Sequence, residues 1–129
     1  MSDPSHPVDA DKVAAAREGQ IPAAEADELS ALLTLVADPL RARILSVLLA
    51  TDELCVGDIA IALDASEDAV SYALRILRTA GLVHRRREGR MGYYRLRDGE
   101  MRTALRASLE ELRSLSRLHP ERLTQDDDT

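Results

Sequence analysis

The stretch ELCVGDIAIALDASEDAVSYALRILRTAGLVHRRREGRMGYYRL, residues 53–96, decides the fold of this chain. Apolar residues recur at helical spacing over residues 56–63 and again over residues 66–80. A tight turn separates the two runs, Ser66 is a favourable N-cap for the second, and Gly81 is typical of a position just beyond a helix. The stretch therefore predicts a short helix, a turn and a longer helix.

The pattern after these two helices changes from helical to strand-like. Strand-forming residues occupy positions 82–87 and 93–96, and the five residues between them include two glycines. This arrangement is typical of a β-hairpin. Two helices joined by a tight turn and followed by a basic hairpin form the layout of a winged helix-turn-helix, in which the second helix is the recognition helix and the hairpin is the wing.

Helices are also expected on both sides of this unit. The upstream helix begins near residue 23 and has an apolar stripe of Leu29, Leu32, Leu33 and Val36. Asp38 and Pro39 then start another helix, because Asp is a favourable N-cap and Pro suits the first helical position. The predicted buried stripe of that helix is Leu40, Ile44, Val47 and Leu48. The last helix spans about residues 100–118.

The predicted fold is mainly α with a small β-hairpin, in the order α-α-α-α-β-β-α. Residues 23–118 are expected to form a winged helix-turn-helix domain for DNA binding and dimerisation. Residues 1–22 form an N-terminal arm, in which residues 8–17 favour a short helix, and residues 119–129 form an acidic, disordered tail. The first and last helices of the domain are surplus to the helix-turn-helix, so we expect them to hold a homodimer.

Composition excludes several functional classes. The 129 residues suffice for one compact domain. No apolar run approaches the roughly 20 residues that span a bilayer. The N-terminus does not resemble a signal peptide, so a cytoplasmic protein with no membrane partner is expected. The histidines His6, His84 and His119 are scattered, and neither a glycine-rich phosphate loop nor a nucleophile–base pair is recognisable, so the chain is not expected to be an enzyme.

The charge distribution points to a polyanionic partner. The chain has a net charge of −6, yet residues 75–97 contain eight arginines and one glutamate. A local positive field can bind phosphate even on an acidic protein. The alternative interpretation of this stretch is a solvated basic surface.

Together with the preceding LVADPLRARILSVLL, residues 35–49, the stretch resembles the ArsR/SmtB family of metal-responsive bacterial repressors. Three features carry the resemblance: ADP-x-R-x-x-IL, ELCVGD, and AVS-x-x-L-x-x-L-x-x-AGLV followed by a hairpin. The resemblance covers about 90 residues, from Leu29 to about Leu118. It implies a homodimeric repressor that binds an imperfectly palindromic operator in double-stranded DNA.

The expected DNA-binding residues lie on the recognition helix and the wing: Ser66, Ser71, Tyr72, Arg75, Arg78, Arg85, Arg86, Arg87 and Arg90. The helix residues are expected to read base edges, whereas the wing arginines suit phosphate contacts or insertion into the minor groove. Relatives often have Gln or His where this chain has Tyr72 and Ala73. Glu67 and Asp68 would repel phosphate unless one of them accepts a hydrogen bond from a cytosine amino group.

The resemblance also implies a thiol-rich metal site. Cys55 matches the first cysteine of the family motif ELCVCD, but Gly57 occupies the position of the second. The arm supplies no cysteine and offers only Asp3, His6 and Asp9 as ligands. Cys55 is therefore either a ligand for a thiophilic metal or a small buried hydrophobic residue.

A second family site joins the last helices of two subunits. The matching positions here are Asp98, Glu100, Glu111 and Ser114, so both family histidines are absent. Three carboxylates suit a hard cation, although an acidic helix start is the alternative interpretation. His119 is either part of a tail site or structural. A divalent metal such as zinc or cadmium is thus a candidate inducer. The alternatives are a metal-independent regulator and a winged helix that contacts another protein.

Overall fold

The computed structural model describes residues 8–118, without the side chain of Leu118. The elements in chain order are α1 (Ala10–Gly19), α2 (Ala23–Val36), α3 (Pro39–Ala50), β1 (Leu54–Cys55), α4 (Val56–Leu63), α5 (Glu67–Thr79), β2 (Val83–Glu88), β3 (Met91–Leu96) and α6 (Glu100–Leu118). The strands form one antiparallel sheet in the order β1-β3-β2. The predicted helical fold with a hairpin wing is confirmed.

Helices α3 and α5 begin at residues whose side chains cap them. Asp38 accepts a hydrogen bond from the backbone N–H of Arg41 at 3.0 Å, and Pro39 occupies the first turn of α3. Ser66 accepts a hydrogen bond from the backbone N–H of Ala69 at 3.1 Å at the start of α5. Each cap satisfies a backbone donor that has no partner inside its helix.

One aliphatic core joins α3, α4, α5 and the sheet. Its fully buried large side chains are Ile44, Leu45, Leu48, Ile59, Val70, Leu74, Leu77, Leu82, Val83 and Leu96. Tyr94 is the buried aromatic member of this cluster. The two helix-turn-helix helices pack against each other and against α3, and α5 also contacts β2.

The buried stripe of α3 differs from its prediction. Ile44, Leu45, Leu48 and Leu49 are buried, whereas the predicted members Leu40 and Val47 are only half-buried. Helix α3 contacts α4, α5, α6 and β3, so its buried sector is wider than that of a helix packed on one side.

The sheet contains one strand that the sequence did not predict. The two-residue β1 pairs with β3, with Leu54 opposite Tyr94 and Cys55 opposite Tyr93. The hairpin is also tighter than expected. Strand β2 ends at Glu88 and β3 begins at Met91, so the turn between them has only two residues. Gly89 in that turn has φ +60°, which suits the first central position of a type II′ turn.

The chain divides into two compact units, with the boundary between Thr34 and Leu35 inside α2. In the first unit, α1 begins two residues later than expected and is exposed along its whole length. The predicted apolar residues Leu29, Leu32 and Leu33 are also exposed in the single chain. The predicted acidic tail, residues 119–129, lies outside the described residues. None of the described helices is both long and apolar enough to cross a membrane.

The turn between α4 and α5 requires a residue in the left-handed backbone conformation. Asp64 has φ 52°, and its backbone N–H donates to the carbonyl of Ile61 at 3.2 Å. We expect Asp64→Val to lower the free energy of unfolding by about 1–2 kcal/mol, because a β-branched side chain is strained in this conformation. Asp64→Asn is the matched control, since Asn tolerates the same φ, and urea unfolding is the measurement. Equal stability of the Val variant and the parent would contradict this account.

Candidate nucleic-acid interface

The recognition helix α5 has one buried side and one exposed side. Val70, Leu74 and Leu77 are fully buried. On the opposite side, Tyr72 is 60% exposed and Arg75 is exposed as well. These two residues are three positions apart and so are neighbours on the helix surface.

The other predicted residues of the recognition helix differ in accessibility. Ser71 is half-buried, so less of its side chain is available to DNA than the sequence suggested. Ser66 is exposed, but its hydroxyl accepts the capping hydrogen bond at the start of α5. Glu67 and Asp68 follow it in the exposed first turn, where their charge complements the helix dipole.

An open groove of about 410 Å³ lies between the last turn of α5 and the wing. Arg78 of α5 and Arg85 and Arg87 of β2 line it, together with Gly81, Val83 and His84. We call this feature the basic groove. Arginines from the recognition helix and from the wing therefore line one surface.

A glycine on β3 leaves room for one of these cations. A Cβ atom at Gly92 would lie 2.8 Å from Nε of Arg85, and Gly92 is the cross-strand partner of Arg87. The absence of a side chain at Gly92 therefore lets the Arg85 guanidinium lie across the wing.

Arg86 has a different environment from its neighbours. Its guanidinium makes a two-point contact with the carboxylate of Glu53, and its Nη1 lies 3.2 Å from Oε2 of Glu88. Its Cζ lies 4.8 Å from the ring centroid of Tyr93. The hydrogen bond from Arg86 holds the pKa of Glu53 below its ordinary value, and the bonds to Glu53 and Glu88 raise the pKa of Arg86.

Sequence reasoning missed Glu53 because its partner is 33 residues away. Glu53 immediately precedes β1, and β1 is placed beside the wing by its pairing with β3. A recognisable strand at residues 54–55 would have been the signal, but two residues have no detectable periodicity. Arg90, also predicted to bind DNA, is exposed in the turn of the wing.

The candidate thiol ligand lies inside the protein. Cys55 is 7% exposed and occupies the N-cap position of α4 without a side-chain capping bond. Within the described part of the chain, no three His, Cys, Asp or Glu side chains are grouped as metal ligands would be. Asp3 and His6 lie outside the described residues, as does His119.

The candidate carboxylates of the other family site are spread along the surface. Asp98, Glu100, Glu111 and Ser114 are all exposed. Oδ2 of Asp98 lies 3.3 Å from Nη1 of Arg95, so this carboxylate already has a cationic partner. Glu100 and Glu111 are separated by about 16 Å along α6, from the rise of 1.5 Å per residue. Within one protomer, Glu100 and Glu111 are therefore too far apart to bind the same metal ion, and the site that the resemblance implies would combine ligands from two subunits.

Several known proteins are similar to this chain in sequence. Residues 38–85 match the family described as "Bacterial regulatory protein, arsR family". A transcriptional repressor SmtB homolog of Synechocystis is 43% identical over 88 residues, which cover 68% of this chain and 66% of that protein. The chain matches between 56 and 66% of the length of the first three curated relatives.

Two solved structures have folds similar to that of this chain. The AntR antimony-specific transcriptional repressor superposes with a TM-score of 0.67 at 26% identity, covering 91% of this chain and 97% of that one. The homodimeric winged helix-turn-helix domain of Mb0332 from Mycobacterium bovis, described as a possible ArsR-family regulator, has a TM-score of 0.62 at 28% identity. That match covers 80% of this chain and 94% of the other. With its winged helix, exposed recognition helix and basic wing, the chain belongs to the ArsR/SmtB family, whose members are transcriptional regulators and not enzymes.

Proposed function

We propose that this protein is a homodimeric transcriptional repressor that binds a sequence-specific operator in double-stranded DNA. The observation that carries the proposal is the basic groove. Arg78 belongs to the recognition helix and lines the same groove as Arg85 and Arg87 of the wing. One surface thus combines a helix that can enter a major groove with cations that can pair with the adjacent phosphates.

DNA selection followed by titration tests this function. The operator is first selected from random-sequence duplexes, and the anisotropy of labelled operator and of scrambled DNA is then measured at several salt concentrations. Tight, sequence-dependent binding that weakens steeply with salt is expected, because phosphate contacts release counterions. Absence of DNA binding at low salt would favour the rival function, in which the winged helix contacts another protein.

The proposed homodimer rests on apolar surface that the single chain leaves exposed. On α6, Leu112 is 60% exposed and Leu115 is 50% exposed. The first unit exposes its own apolar residues on α2. Exposed apolar stripes of this kind fit a self-complementary interface, and the Mb0332 domain is described as homodimeric. A dimer of this kind would read two half-sites about 34 Å apart, or a small multiple of that distance.

We expect Leu112→Glu with Leu115→Glu to convert the dimer to a monomer, because burying two carboxylates in an apolar interface is unfavourable. Sedimentation at micromolar concentration measures the change. Ile61→Glu is the matched control, since Ile61 is 80% exposed on α4 and is not expected to reach the partner. A parent protein that sediments as a monomer would contradict the two-fold model of DNA reading.

Release from DNA by a metal ion is the second candidate function, and it is favoured by relatives described as an SmtB homolog and as an antimony-specific repressor. The test is metal analysis of the purified protein, followed by DNA titration with and without zinc, cadmium and nickel. We expect Cys55→Ser to leave metal-free DNA binding nearly unchanged, because Cys55 is buried at the start of α4 and not on the exposed side of α5. If every metal that releases the parent also releases the variant, Cys55 is not a ligand.

A further inference from the structure

The two faces of the wing carry different chemistry. Cross-strand pairing places Val83 opposite Leu96 and Arg85 opposite Tyr94. Leu96 and Tyr94 are buried, so this is the face that continues the core. Because side chains alternate along a strand, Arg85 and Arg87 share that face, whereas Arg86 lies on the opposite face. Arg86 is also not among the residues that line the basic groove.

The donors of Arg86 are already engaged within the protein. Nε and Nη2 contact the Glu53 carboxylate, Nη1 contacts Glu88, and the guanidinium lies over the ring of Tyr93. Two carboxylates face one guanidinium, so this cluster has a net charge of −1. Among the described residues, by contrast, no ion pair involves Arg85, Arg87 or Arg90.

The contact between Glu53 and Arg86 also links distant parts of the sheet. Glu53 adjoins β1, Arg86 lies on β2, and the central strand β3 lies between them. The pair therefore spans the sheet and connects the start of the helix-turn-helix to the wing. A two-point contact with a planar guanidinium restrains orientation more than a single-point contact does.

We propose that Arg86 is a positioning residue rather than a phosphate contact, and that Glu53 holds it so that the wing presents Arg85 and Arg87 to DNA. This inference rests on the proposed DNA-binding function. It reassigns one of the wing arginines that the sequence suggested for phosphate contact, and it gives Glu53 a role in setting operator affinity.

Glu53→Gln distinguishes the two possible roles of Arg86, because they predict opposite changes in DNA affinity. The substitution removes a negative charge near the wing. If Arg86 were a phosphate contact, its release would raise DNA affinity and steepen the salt dependence. If Arg86 positions the wing, affinity falls even though the protein becomes more positive. We expect a loss of no more than about fivefold, since exposed ion pairs are weak, with an unchanged salt slope.

Arg86→Ala and Arg87→Ala form a matched pair on the same strand. We expect Arg87→Ala to reduce the slope of log affinity against log salt by about 1.8 per dimer, or 0.9 per phosphate contact, and Arg86→Ala to leave it unchanged. Glu53→Gln combined with Arg86→Ala should bind DNA no more weakly than Arg86→Ala alone, because both changes remove the same contact. Circular dichroism checks that each variant is folded.

The contact between Arg86 and Glu53 can also be observed directly, without DNA. In the parent protein, the Nε–H resonance of Arg86 should be resolved and protected from exchange with solvent. Glu53→Gln should reduce this protection, because Gln retains only one acceptor oxygen and has no charge. A slope reduced equally by Arg86→Ala and Arg87→Ala would overturn the positioning role. Failure of the parent protein to bind any DNA would instead remove the proposed function, and the Nε–H measurement would still test the contact.

Discussion

Replacing Arg85 and Arg87 by Ala together is expected to weaken binding to operator and random DNA alike, by roughly a thousandfold at 0.15 M salt. A dimer loses four phosphate contacts in this variant, and each contributes about 0.9 to the salt slope, so the slope should fall by about 3.6. The two side chains line the basic groove and form no ion pair within the described part of the chain. Fluorescence anisotropy across a salt series measures both quantities.

The matched control for this variant changes net charge equally but at another site. Lys12→Ala with Arg17→Ala removes two exposed cations from α1. We expect this control to leave the salt slope close to that of the parent. If the control and the groove variant weaken binding to the same extent, overall charge determines affinity and the basic groove has no special role.

Replacing Tyr72 and Arg75 by Ala is expected to reduce sequence discrimination instead. Both side chains project from the exposed side of α5. Each lost base contact should cost about 1–3 kcal/mol. The dimer loses two contacts in each of two half-sites, so the ratio of operator to random affinity should fall by at least roughly 700-fold. Affinity for random DNA should change much less, because this affinity comes mainly from phosphate contacts.

Competition between labelled operator and unlabelled random duplex measures that ratio directly. Thr79→Ser is a suitable control on the same helix, because Thr79 is exposed at the C-terminal end of α5 and is not an expected DNA contact. Should the wing variant lose operator preference while the helix variant keeps it, the proposed division between base reading and phosphate binding is reversed.

The sequence alone determined the features that depend on neighbouring residues. Asp38 and Ser66 start helices because a side-chain oxygen can cap a backbone donor three residues later. Glycine near the tip of the hairpin predicted the wing, and helical spacing of apolar residues predicted the recognition helix. These local rules, with the motif resemblance, were enough for the fold and for the family.

Tertiary structure decided what each arginine of the wing contacts. Three consecutive arginines look equivalent in the sequence, but strand register assigns Arg85 and Arg87 to one face and Arg86 to the other. That register depends on pairing with β3, and the contact with Glu53 depends further on β1, a strand too short to be recognised. Burial of Cys55 likewise follows from packing of distant segments. Local sequence specifies caps and periodicity, whereas the partner of a side chain is set by non-local strand pairing and packing.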